Sequence, residues 1–144
     1  MKSHHRLLAN AVLAVLCSTV ASAEPQATNP EAIRGTWCYI KSIDPTGKTI
    51  KEVDVGGGVD DETQVFRRSS CAKGLGYVFT ARSVIGKSNG KQIGEHPLVS
   101  VEFNDRAGWF INVKHDHEQT GKREFFVYPM TNNNLGIVGP FTLI

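Results

Sequence analysis

His115, Asp116 and His117 form the densest group of reactive side chains in the 144-residue chain. On an extended segment, residues i and i+2 point to the same side. His115 and His117 would then offer two imidazoles to one metal ion, and His96 is the third ligand if its loop folds alongside. The competing reading is a pair of solvated histidines, because the group sits in a polar stretch with Glu118 and Gly121. No cysteine and no further histidine has ligand spacing.

Other candidate chemistry is thinner. Asp60, Asp61 and Glu62 follow Gly56-Gly57-Gly58. They lack the alternating acids and closing Glu of a calcium loop, and the glycines lack the Gly-Lys-Ser/Thr of a phosphate loop. None of Ser69, Ser70, Ser83, Ser88 and Ser100 lies in a Gly-x-Ser-x-Gly elbow. Glu102 and Glu124 fall on alternating strand positions that ordinarily face solvent. The expectation is a non-enzyme without a cofactor.

The N-terminus supplies an address. Lys2, His4, His5 and Arg6 precede an apolar run from Leu7 to Val20, then Ala21-Ser22-Ala23. That order of parts is a secretory signal peptide cleaved after Ala23. The run is too short to span a bilayer, so no stable membrane insertion is expected, and the location is secreted or periplasmic. Cys17 follows Leu16, a poor fit to a lipid-anchor site. The expected organisation is a signal peptide over 1–23, a leader over 24–34 and one domain over 35–144. Lys2 and Arg6 are the only charges in the signal, so 16 basic residues fall to 14 against 14 acidic ones. A neutral domain lacks the footprint of a nucleic-acid binder. Cys17 leaves with the signal, and the remaining pair, Cys38 and Cys71, is expected to form a disulfide in an exported chain.

The elements that must position these groups are strands. Asn29 and Pro30 suit the start of one helical turn over 30–34, ended by Gly35. From Thr36 onward, short runs rich in aromatic and β-branched residues alternate with turn signals. Strands are expected near 36–43, 49–55, 63–70, 77–85, 98–103, 109–114, 123–128 and 135–138. In the first, Trp37, Tyr39 and Ile43 share a face. In the fifth, Val99, Val101 and Phe103 do. Asp44-Pro45-Thr46-Gly47 is a strong turn. Asn89-Gly90 is a hairpin signal within an otherwise hydrophilic loop over 86–97. Phe125 is expected inward and Phe126 outward with Tyr128, an apolar patch unless something covers it. The fold class is all-β: an antiparallel up-and-down meander of about eight strands, closed into a small barrel to hide its edges. A β-sandwich is the alternative.

Ile33-Arg34-Gly35-Thr36-Trp37 resembles the Gly-x-Trp signature that opens the first strand of lipocalins, avidins and related small barrels. The resemblance implies an eight-stranded barrel in which Trp37 caps the closed end, with Trp109 the second tryptophan of the core, and a small molecule held in the mouth. The chain departs from lipocalins in having no helix after its last strand, and from avidins in having only two tryptophans. In size it is similar to small exported barrels that inhibit secreted proteases and hold one disulfide. Three functions are therefore expected in order: an exported binder of a small apolar molecule, an inhibitor of a secreted hydrolase acting through 86–96, 115–122 or the leader, and a periplasmic metal binder.

Overall fold

The computed structural model describes residues 26–50, 62–116 and 119–139. The expected signal peptide, Gly56-Gly57-Gly58, Asp60, Asp61 and His117 lie outside them. Nine antiparallel strands form one sheet: β1 (Gly35–Ile43), β2 (Thr49–Ile50), β3 (Thr63–Arg68), β4 (Leu75–Phe79), β5 (Ser83–Ser88), β6 (Lys91–Asn104), β7 (Gly108–Lys114), β8 (Lys122–Pro129) and β9 (Asn134–Val138). β1 also pairs with β4, so the sheet closes into a ring of eight strands, with β2 appended to β1. It is one sheet rather than the two of a sandwich.

From β4 to β9 each strand pairs with the next, as a meander requires. The first strands add one crossover. β3 runs along one edge of β1 and ends with Arg68 opposite Trp37. The chain then passes over β1, and β4 joins the other edge with Gly76 opposite Cys38. Cys71 lies in this crossover and is bonded to Cys38, with Cα atoms 5.0 Å apart. The disulfide thus pins the connection to the strand it crosses.

Several local expectations change. The stretch 77–85 is two strands, because Thr80 turns the chain: its hydroxyl accepts from the Ser83 amide at 3.0 Å and meets the Ser83 hydroxyl at 2.7 Å. No glycine or proline marks that turn. The hydrophilic loop over 86–97 is instead the hairpin of β5 and β6, turning at Asn89-Gly90, with φ of 49° and 81°. β6 pairs with β5 through its first half and with β7 through its second. A bulge between Leu98 and Ser100 puts Leu98, not Val99, on the face of Val101. A bulge between Tyr39 and Lys41 buries Ser42 (1% exposed) where Ile43 was expected. Each added residue flips the alternation beyond it.

The core is continuous. Trp37, Phe66, Tyr77, Phe79, Val84, Ile111, Val113, Phe125, Val127, Leu135 and Ile137 are buried together, with Leu98, Val101 and Trp109 packed against them. Phe66 meets Tyr77 at a tilt and Tyr77 meets Phe79 edge-on, with ring centroids 5.4 and 6.4 Å apart. Phe125 meets Phe79 at 6.4 Å. Side chains from every side of the ring meet at its centre.

The outer side of the crossover leaves no room at Gly76. A Cβ there would lie 2.5 Å from the Trp37 carbonyl oxygen and 2.6 Å from Cys71 Sγ. Gly76→Ala should cost about 1–3 kcal/mol by overpacking, and Cys38→Ser with Cys71→Ser about 3 kcal/mol, both read from urea unfolding. Because the two features touch, Gly76→Ala should cost less in the double-serine protein. Strict additivity would refute the coupling.

Candidate functional site

The His cluster is assembled by register. His96 pairs with Val84, a core residue, so it shares the inward face of β5 and β6. His115 follows the end of β7 and is held by its amide, which donates to the Gly121 carbonyl at 2.8 Å. Strand β7 delivers it beside the first half of β6, which β7 does not pair with. The imidazoles of His96 and His115 lie parallel (6°) with centroids 5.1 Å apart. His115 is 7% exposed. The two rings face a cleft of about 290 Å³ between Gly94–Pro97 and Lys114–Asp116. His96 lies beside His115, the condition on which the sequence made it a third ligand; His117 lies outside the described residues.

Hydrogen bonding orients His96. Its Nδ1 lies 3.3 Å from the Lys114 carbonyl oxygen, which can only accept, so Nδ1 carries the proton in this contact and Nε2 is the ring's other nitrogen. Gly94 lies under that Nε2, and a Cβ there would sit 3.4 Å from it. A ring nitrogen tied to a backbone carbonyl is a common feature of metal-ligating histidines. Among the described residues, no group of three or more His, Cys, Asp or Glu side chains converges.

The end of the ring away from the histidines is built around Trp37. Its Nε1 donates to the Ile33 carbonyl at 2.8 Å, which seats the 3-10 turn Glu31–Ile33 on the core. The Arg68 guanidinium lies 4.2 Å from the Trp37 ring centroid and donates to the carbonyls of Arg34 at 2.6 Å and Ala32 at 3.3 Å. Gly35 makes this possible: its φ is 120°, and a Cβ would lie 2.5 Å from the guanidinium. Asn29 was expected to cap the turn. Instead it is fully buried and donates from Nδ2 to the Thr80 and Ser83 carbonyls at 2.7 and 3.1 Å. Sequence reasoning found Trp37 but missed Arg68, because nothing in an Arg-Arg pair says which one stacks. Trp109 packs at the edge of the core against Phe103, centroids 5.9 Å apart.

The two carboxylates of the sequence analysis, Glu102 and Glu124, lie on the outer face of β6 and β8. Glu124 is on the outer face and accepts from Asn112 Nδ2 at 2.8 Å. Glu102 is also exposed, paired with Phe110. That outer face carries the expected aromatic row. Phe110 and Phe126 lie 5.0 Å apart, and Phe126 and Tyr128 5.7 Å. The three rings are half-buried, with Phe126 over Gly108 and Tyr128 over Gly136 on the neighbouring strands.

Among the described residues, Asp44 and Tyr77 depart from their ordinary values. Asp44 at the β1–β2 turn is held below the carboxylate range, chiefly by the Thr46 hydroxyl at 2.6 Å and then by the Lys48 amide at 2.9 Å. Burial pushes the Tyr77 phenol up to about 12, with the charge of Arg123 opposing. Comparison with known protein families, with curated proteins and with solved structures gives no match.

Tyr77 supplies a pH prediction. Both states are neutral at this phenol below pH 10, the model value for tyrosine, so its contribution to stability is complete there. Above that, the unfolded phenol ionises first, and stability is lost until the folded phenol follows near pH 12. The tyrosinate absorbance of the native protein, minus that of Tyr77→Phe, should show a step near pH 12. A step near 10 would refute the burial argument.

Proposed function

We propose that this chain is an exported, non-catalytic binding protein whose ligand is a divalent transition-metal ion held by His96 and His115. The observation that carries this reading is the parallel imidazole pair at 5.1 Å with His96 Nδ1 tied to a backbone carbonyl. The two rings come from residues 96 and 115 and meet because β7 ends beside the first half of β6. Imidazole suits copper, zinc and nickel. Two ligands from the protein leave the remaining positions to water, which makes binding reversible rather than structural. Export rests on the order of residues 1–23 and accords with the Cys38–Cys71 disulfide.

The interior weighs against the small apolar molecule as ligand. A binder of that kind needs a hollow lined by apolar side chains, and the centre of this ring is occupied by its own. A second reading, inhibition of a secreted hydrolase, draws support from that filled core and from the outward row Phe110, Phe126 and Tyr128. No helix among the described residues is long and apolar enough to cross a membrane.

Calorimetric titration with Cu²⁺ and Zn²⁺ should show one site, tighter for Cu²⁺. His96→Gln should weaken it at least tenfold while leaving the far-ultraviolet circular dichroism unchanged. Metal that leaves the His96 and His115 ring resonances unmoved would overturn the assignment. Separately, mass spectrometry of the protein recovered from outside the cytoplasm should give a chain beginning at Glu24 and lighter by two hydrogens for the disulfide. A chain beginning at Met1 would refute export by cleavage.

A further inference from the structure

Half of one strand in the ring has a partner on one side only. β5 pairs with β6 as far as Ser83 opposite Pro97, and the last contact on that side is the Leu98 amide donating to the Arg82 carbonyl at 2.9 Å. From Ser100 to Asn104, β6 pairs with β7 along its other edge. Among the described residues, no strand and no backbone hydrogen bond meets Val99 to Phe103 on the β5 side. Alternate residues of an antiparallel strand turn their N–H and C=O groups to each side. This stretch therefore presents backbone donors and acceptors that a further strand can take.

The side chains leave the edge open as well. Edges that stay single are ordinarily guarded by lysine, proline or an inward charge. Val99-Ser100-Val101-Glu102-Phe103 carries one charge and neither lysine nor proline. The bulge at Val99 bends the strand where the stretch begins and leaves Ser100 to Asn104 in regular register. Phe103 is 66% exposed, the most exposed large apolar side chain among the described residues, and Val99 is exposed beside it. Trp109 meets one side of the Phe103 ring, edge-on.

We infer that a second copy of the chain pairs here, β6 against β6, antiparallel about a two-fold axis. A two-fold contact uses the same surface twice, so the stretch must complement itself. With the axis at Val101 it does. Val101 lies opposite Val101 of the other copy and Ser100 opposite Glu102, so neither carboxylate meets another. Phe103 of each copy reaches the bulge at Val99 of the other. An axis at Glu102 sets two carboxylates directly opposite, which is destabilising. An axis at Ser100 requires Leu98 to pair with Glu102, but the Leu98 amide is already given to Arg82. The pairing spans the five residues Val99 to Phe103, against four pairs in the β1–β4 seam. An interface this short makes the dimer reversible and dependent on concentration. The histidine cleft, on the first half of β6, stays outside the contact.

Sedimentation equilibrium of the purified protein over a range of concentrations tests this. The mass should rise from one chain towards two, and the amides of 99–103 should exchange with deuterium more slowly at the higher concentrations. Phe103→Lys, at an exposed position, should weaken the association at least tenfold. The register is read at Ser100. Ser100→Glu faces Glu102 of the other copy with a like charge and should weaken the association at least tenfold; Ser100→Lys faces it with the opposite charge and should not. Both substitutions remove the same hydrogen bond, from Asn112 Nδ2 to Ser100 Oγ, so a difference between them reports the charge across the axis. A single-chain mass at every concentration, an association indifferent to Phe103→Lys, or equal effects of the two Ser100 substitutions would overturn the proposal.

Discussion

Strand β1 makes hydrogen bonds along both of its edges, and the closure of the molecule depends on that. On one side it pairs with β3 from Trp37 to Ile43; on the other it meets β4 only from Gly35 to Cys38. Without the second contact the sheet would have raw edges at β1 and β4, open to other strands. A seam four residue pairs long is weak by itself. It is reinforced from both faces of the same two residues. Cys38 points outward and is bonded to the crossover at Cys71. Trp37 points inward and is covered by Arg68 and the 3-10 turn.

This arrangement explains two glycines and one arginine as a set. Gly76 lets the disulfide lie against β4, and Gly35 lets the Arg68 guanidinium reach two carbonyls while resting on the indole. The guanidinium satisfies backbone acceptors at the end of a short turn that cannot satisfy them itself. With the centre packed, the histidine cleft lies at its margin, between the first half of β6 and the end of β7.

How far the sequence reveals this depends on the range of the signals. The period-two alternation of Trp109, Ile111 and Val113 places β7 correctly, because neighbours in sequence set the face of a strand. Asn89-Gly90 gives the β5–β6 hairpin its turn, since both residues accept positive φ. The strands flanking that turn are hydrophilic and were expected as loop. Their pairing follows from neighbours on either side, not from their own composition. The bulges at Ile40 and Val99 leave no local mark, so the identities of Ser42 and Leu98 as inward residues come from the packed ring alone. At the candidate site, His115 was visible as a reactive type. His96 was visible only as a condition, which the stagger of β6 fulfils.

The amino-acid sequence by itself determined that the chain is all-β, that turns fall near Asp44 and Asn89, and that Cys38 and Cys71 would pair. These follow from backbone preferences and side-chain chemistry acting over a few residues, or from a count with one solution. Only the tertiary structure decided that β3 crosses β1 to reach β4, that Arg68 rather than Arg67 lies on Trp37, and that His96 stacks on His115. Those outcomes depend on which strands share an edge, a choice made by closing the ring and filling its centre, and no short stretch of residues contains that information.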